Sequence, residues 1–163
     1  MKALLIIYHS MTGGTLQMAH AAAAGARAEP GVAVSLLQAA EARAEDVLAA
    51  DGFIFATPEN LAGMSGMMKD FFDRTYYAAF ERLNGRAFVT LICAGSDGRN
   101  AAQQIDRIAA GWRLKPIAEP YIVCTHAQTP EEILKPKRIE AACLARCEEL
   151  GRTLASGLAL GIF

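Results

Sequence analysis

Five short, mainly apolar runs, set between longer stretches with helical periodicity, constrain this chain more than any other feature. The runs are Ala3–Tyr8, Val32–Leu37, Gly52–Ala56, Ala87–Cys93 and Tyr121–Thr125. They do not alternate apolar with polar residues, so they predict strands covered on both faces, as in a buried parallel sheet. Helices are predicted over Thr15–Arg27, Arg43–Ala50, Met64–Phe80, Ala101–Trp112 and Pro136–Leu158. A strand–helix unit repeated five times gives an α/β fold, a three-layer sandwich with helices on both faces of the sheet. With 163 residues the chain has the length for one such sheet. Residues 1–163 are therefore expected to form a single domain around a five-stranded parallel sheet in the order 2-1-3-4-5.

Charge and composition remove several function classes. The formal net charge is −1, too little positive charge for a nucleic-acid partner. It also counts against a strongly acidic carrier that docks by long-range steering. Met1–Tyr8 lacks the long apolar core and cleavage site of a secretory leader, and no apolar stretch reaches the roughly 20 residues of a membrane span. The four cysteines, Cys93, Cys124, Cys143 and Cys147, form no CxxC pair and have no further ligands nearby. They read as packed free thiols in a reducing, cytoplasmic setting, with no metal site.

In an open α/β sheet, ligands bind beyond the carboxyl ends of the strands. Three loops are placed there: His9–Thr15 (HSMTGGT), Thr57–Gly63 (TPENLAG) and Ala94–Arg99 (AGSDGR). The first is the sharpest signal. Ser10, Thr12 and Thr15 offer hydroxyl donors, and Gly13 and Gly14 permit a tight turn and close approach to a ligand. The helix starting near Thr15 adds free N–H groups and the positive end of its dipole. Together they form a phosphate cradle with no Lys or Arg in the loop. No Gly-Lys-Ser/Thr follows the glycines and no G-x-G-x-x-G is present, which disfavours ATP, NAD or FAD here.

The stretch Ser10-Met-Thr-Gly-Gly-Thr15 resembles the flavodoxin phosphate signature. The stretch Ala56-Thr-Pro-Glu-Asn60, followed by Gly63, Ser65-Gly66 and Lys69-Asp-Phe-Phe-Asp-Arg74, resembles the second signature of NAD(P)H-dependent FMN reductases and related quinone-reductase flavoproteins. The resemblance implies a flavodoxin-like fold with bound FMN. It implies that Ser10, Met11, Thr12, Gly13, Gly14 and Thr15 hold the FMN 5′-phosphate. Pro58, Glu59, Asn60, Leu61, Ala62 and Gly63 would wrap one side of the isoalloxazine, and Gly95, Ser96, Asp97 and Gly98 would line its other edge. The chain departs from short electron-carrier flavodoxins in having no Tyr or Trp in the third loop, and no aromatic residue in the second. One flavin face is then left open to a second substrate.

The resulting expectation is an oxidoreductase that takes electrons from NAD(P)H through FMN and passes them to a quinone or free flavin. A nicotinamide stacked on the open face requires no side chain to act as acid or base, so no catalytic residue is assigned. Two alternatives stay open: a flavodoxin-type electron carrier and a binding module without redox chemistry. A partner subunit walling the open face predicts a homodimer. Lys69–Asp73 and Asp70–Arg74 read as exposed helix pairs, and Asp97 and Arg99 are candidates for the rim of the site. His126 falls on the ligand side of the sheet, with a substrate contact as one alternative, and Trp112 reads as a core anchor. Substitutions at Thr12 and Gly14 are expected to act on FMN affinity rather than on the fold.

Overall fold

The computed structural model describes all residues from Met1 to Phe163. Four long parallel strands form the sheet: β1 (Lys2–Tyr8), β2 (Val32–Gln38), β3 (Gly52–Asn60) and β5 (Ala87–Ala94). Their order across the sheet is β2-β1-β3-β5. All eight residues of β5 are buried, as its run, apolar but for Thr90, requires for a strand covered on both faces. The architecture is the expected α/β sandwich with a parallel sheet.

The sheet contains seven strands rather than five. The lane beyond β5 is shared by two pieces, β6 (Lys115–Pro116) on Ala87–Phe88 and β7 (Tyr121–Cys124) on Leu91–Ala94. Pro116 and Pro120 flank the break, and neither has an N–H to continue a ladder. The remaining strand, β4 (Gly63–Met64), pairs antiparallel with the end of β3. Met64 thus lies in a strand, not in the helix predicted to start there.

The helices are α1 (Gly14–Arg27), α2 (Ala44–Ala49), α3 (Gly66–Ala79), α4 (Arg99–Gly111), α5 (Pro130–Leu134) and α6 (Ala141–Ala159). The last predicted helix began too early. Pro136 follows α5, the chain runs extended to Glu140, and α6 starts only there. One face of the sheet carries α1 and α6, with Ile6, Ile54, Leu91, Met18 and Leu154 in its core. The alanines of α1 bring it close to α6 as well as to the sheet: a Cβ on Gly151 of α6 would fall 2.0 Å from the Ala22 carbonyl oxygen.

The other face is aromatic. Phe55, Phe71, Phe72, Phe88 and Trp112 share one core with Met68 and Ile105. Trp112 is fully buried, and its indole N–H donates to Tyr76 O at 3.0 Å. From α3, Met68, Phe71, Phe72, Thr75 and Ala79 face this core, whereas Met67 is exposed. Lys69–Asp73 and Asp70–Arg74 form the expected exposed pairs, each at 2.7 Å. Arg74 does more, since its guanidinium also donates to Ala39 O and Ala42 O and ties α3 to the loop after β2.

Candidate functional site

A cleft of about 580 Å³ opens at the carboxyl ends of β1, β3, β5 and β7. The three predicted loops meet there. From the first come Ser10, Met11, Thr12, Gly14 and Thr15; from the second Pro58, Glu59, Asn60, Leu61 and Ala62; from the third Gly95 and Ser96. Four predicted residues do not line it: Gly13, Gly63, Asp97 and Gly98.

The first loop is shaped to receive an anion. Gly13 caps α1 at φ 92°, a left-handed conformation that a side chain would strain, and its N–H donates to Ser10 Oγ at 3.1 Å. Gly13 therefore makes the turn instead of lining the cleft. The first-turn N–H groups of Gly14 and Thr15 have no carbonyl partner within the helix. Gly14 is needed for close approach: a Cβ there would lie 2.6 Å from Cys93 Sγ, at the floor of the cleft. Thr15 is 2% exposed, and its Oγ1 has no hydrogen-bond partner in the protein. A buried hydroxyl normally has one. Free N–H groups, an orphaned hydroxyl and a cradle that a methyl group would fill fit a bound phosphate.

The second loop is a β-hairpin. Its tip residues, Leu61 and Ala62, both sit at positive φ, 49° and 63°, although neither is glycine. Such backbone is costly unless its surroundings impose it. Here α4 imposes it: Asn100 Nδ2 donates to Ala62 O, and Met64 N donates to Gln104 Oε1 at 2.8 Å. Gly63 packs against Gln104, outside the cleft. Glu59 serves the same joint. Its carboxylate accepts from Gly98 N at 2.9 Å and Ala101 N at 3.3 Å, capping α4 and fixing the third loop against the second. Glu59 reaches the cleft wall, but its oxygens are engaged on α4.

Gly98 is the buried, positive-φ cap of α4. Asp97 and Arg99 form an exposed ion pair at 2.7 Å and do not join the cleft wall; the Arg99 guanidinium holds the Asp97 carboxyl below its ordinary value. His126 also lies elsewhere. It lines a second cavity, of about 540 Å³, between β7 and residues 136–143. Burial lowers the His9 pKa and so favours its neutral form. Burial likewise pushes the Cys93 thiol up to about 11, so it is a protonated thiol at neutral pH.

The fourth wall was not foreseen. Thr125, Ala127, Gln128, Ile133 and Lys137 close the cleft from the segment between β7 and α6. Predicting one helix from Pro136 onwards hid the strap that precedes it. The Thr129-Pro-Glu-Glu132 sequence was the available signal: Thr129 and Glu132 form a capping box for α5. No aromatic side chain lines the cleft.

The family described as NADPH-dependent FMN reductase matches residues 34–129, more than half of the chain; the phosphate-type loop lies outside that span. A protein of Aquifex aeolicus named flavodoxin is 37% identical over 98 residues, covering 60% of this chain and 53% of that one. A protein of Acidithiobacillus ferrooxidans named NAD(P)H dehydrogenase (quinone) is 35% identical, covering 46% of this chain and 48% of that one. The chain thus spans about half the length of these relatives. An archaeal flavodoxin structure superimposes with a TM-score of 0.79 at 18% identity, covering 96% of this chain and 98% of that chain. A flavodoxin, WrbA-like protein from Agrobacterium tumefaciens gives 0.72 at 18% identity, covering 99% of both chains. No helix is long and apolar enough to cross a membrane. With the flavodoxin-like sheet and its carboxyl-edge cleft, these matches place the chain in the NADPH-dependent FMN reductase family of FMN-binding oxidoreductases.

Proposed function

We propose that the chain is a single flavodoxin-like domain that binds FMN in the 580 Å³ cleft and uses it to move electrons from NAD(P)H to a quinone or a free flavin. The observation that carries this reading is the continuity of the Gly14–Thr15 anion cradle with a cleft bounded by a hairpin and a glycine-containing loop. Ser10, Thr12 and Thr15, with the first N–H groups of α1, hold the phosphate. Pro58–Ala62 support one side of the ring system, and Gly95 and Ser96 meet its polar edge. Gly13, Gly63 and Gly98 shape these loops from behind. Bound FMN supplies hydride acceptance and electron release; the protein binds it, orients it and leaves one face open.

The ionisable side chains that line the cleft are engaged elsewhere or hold their protons: Lys137 donates to the carbonyls around the end of α5. Glu59 is engaged in capping α4, and Cys93 keeps its proton. The chain's role is therefore positional, which suits direct transfer between stacked rings. The missing aromatic cover favours a two-substrate reductase over a carrier whose flavin is sandwiched. The decisive assay mixes flavin-loaded protein with NADH or NADPH and a benzoquinone. Steady nicotinamide oxidation is expected. Reduction by a protein donor with no nicotinamide oxidation would support the carrier instead.

A homodimer fits the open face. Met11, Leu61 and Ile133 border the cleft with exposed apolar side chains that a second copy would cover. Light scattering of flavin-loaded protein at micromolar concentration should give twice the chain mass; a monomer with full flavin content would refute the dimer.

A further inference from the structure

We propose that Lys137 belongs to the phosphate end of the cofactor site, where its ammonium supplies the positive charge that the Ser10–Thr15 loop lacks, and that Gln17 is the positioning residue that keeps it there. This rests on the FMN reading of the cleft.

Residues 125–140 leave β7, cross the carboxyl edge of the sheet and enter α6. Three hydrogen bonds lock their course to the phosphate loop and to Gln17 of α1, and a fourth anchors Gln17 to the loop. Lys137 N donates to Thr12 O at 2.8 Å. Gln17 Nε2 donates to both Gly13 O and Lys137 O, each at 2.8 Å. Ile139 N donates to Gln17 Oε1 at 3.1 Å. One side-chain amide therefore joins the cap of α1 to the strap on either side of residue 138. The Lys137 stem lies against the first turn of α1, since a Cβ on Gly14 would stand 3.5 Å from Lys137 Cβ.

The ammonium is fixed without a carboxylate. It donates to Glu132 O and Ile133 O at 2.8 Å and to Lys135 O at 2.6 Å, the carbonyls around the end of α5. Those bonds occupy all three donors of the ammonium. No residue of α5 is buried, so this clamp and the Thr129–Glu132 capping box hold the turn in place. The charge is felt at the floor of the cleft, where it opposes the upward shift that burial gives the Cys93 thiol. A cation held beside the positive end of α1 is unfavourable by itself. An anion at that helix end relieves both. Lys137 thus acts on the phosphate as a held point charge, with its donors kept by α5.

The test titrates apoprotein with FMN and with riboflavin, which lacks the phosphate, at low and high salt. Lys137→Met should weaken FMN binding about tenfold at low salt. It should leave riboflavin affinity within twofold and flatten the salt dependence of FMN binding. Lys137→Arg should retain most of the FMN affinity. Gln17→Leu should reproduce the loss for FMN and spare riboflavin. Equal losses for both ligands in Lys137→Met and Gln17→Leu would mean that the strap only supports the fold, and would overturn the proposal. Unchanged FMN affinity in Lys137→Met would overturn it too. Wild-type protein that binds riboflavin as tightly as FMN would instead refute the phosphate site itself.

Discussion

Gly14→Val is expected to lower the stability of the apoprotein and to abolish FMN binding. The sequence alone assigns this residue to affinity only, and the structure corrects that. A Cβ on Gly14 would lie 2.6 Å from Cys93 Sγ, with Ile139 Cδ1 and Lys137 Cβ each at 3.5 Å. Cys93 is a short side chain in a fully buried strand, so it has little room to withdraw. Overpacking at such a site costs roughly 1–3 kcal/mol. In a domain of this length that is a fall in Tm of about 2–12 °C. The same branched side chain fills the space where the phosphate approaches the helix. Adding Cys93→Ala should restore part of the Tm, because the clash is with sulfur, but none of the FMN affinity. An unchanged Tm in Gly14→Val would contradict the packing described.

Thr15→Val should separate stability from binding in the opposite sense. The Oγ1 of Thr15 is buried without a partner, a penalty of about 1–3 kcal/mol. Valine keeps the shape and removes the polar atom, so the apoprotein should melt at a higher temperature than wild type. FMN affinity should nevertheless fall about tenfold to a hundredfold, the cost of a charge-assisted hydrogen bond. Thr12→Val should lower FMN affinity with little change in Tm, because Thr12 is only half-buried and the strap holds it through its backbone carbonyl. Calorimetric melting of the apoprotein and flavin titration give both readings. A Thr15→Val protein that melts lower and binds FMN normally would make the hydroxyl structural and remove it from the site.

The features legible in the sequence were those with a local cause. Mainly apolar runs marked β1, β3 and β5, because strands covered on both faces have no polar side; β2 was found by the same signal, although as the edge strand it leaves Ala33 and Ser35 exposed. Hydroxyls and glycines marked the first loop, because an anion site at a helix start needs small donors and close approach. What the sequence did not show depends on distant partners. Leu61 and Ala62 occupy left-handed backbone only because Asn100 and Gln104, some forty residues away, hold them there. Glu59 looks like a cleft residue until Gly98 and Ala101 claim its carboxylate. Asp97 and Arg99 belong to the third loop, yet they satisfy each other in solvent. Lys137 was invisible as a site residue because 120 positions separate it from Gln17, whose amide brings it to the phosphate loop.

The cofactor assignment is tested most directly by calorimetric titration of the apoprotein with FMN and with FAD. The hydroxyl- and glycine-rich loop that receives the phosphate carries no dinucleotide fingerprint, and the strap laced to Thr12 and Gly13 borders that end of the cleft. FMN is expected to bind with one site per chain, at least a hundredfold tighter than FAD, a difference of about 2.7 kcal/mol or more. Equal affinity for the two flavins, or no binding of FMN, would contradict the assignment of this cleft as an FMN site.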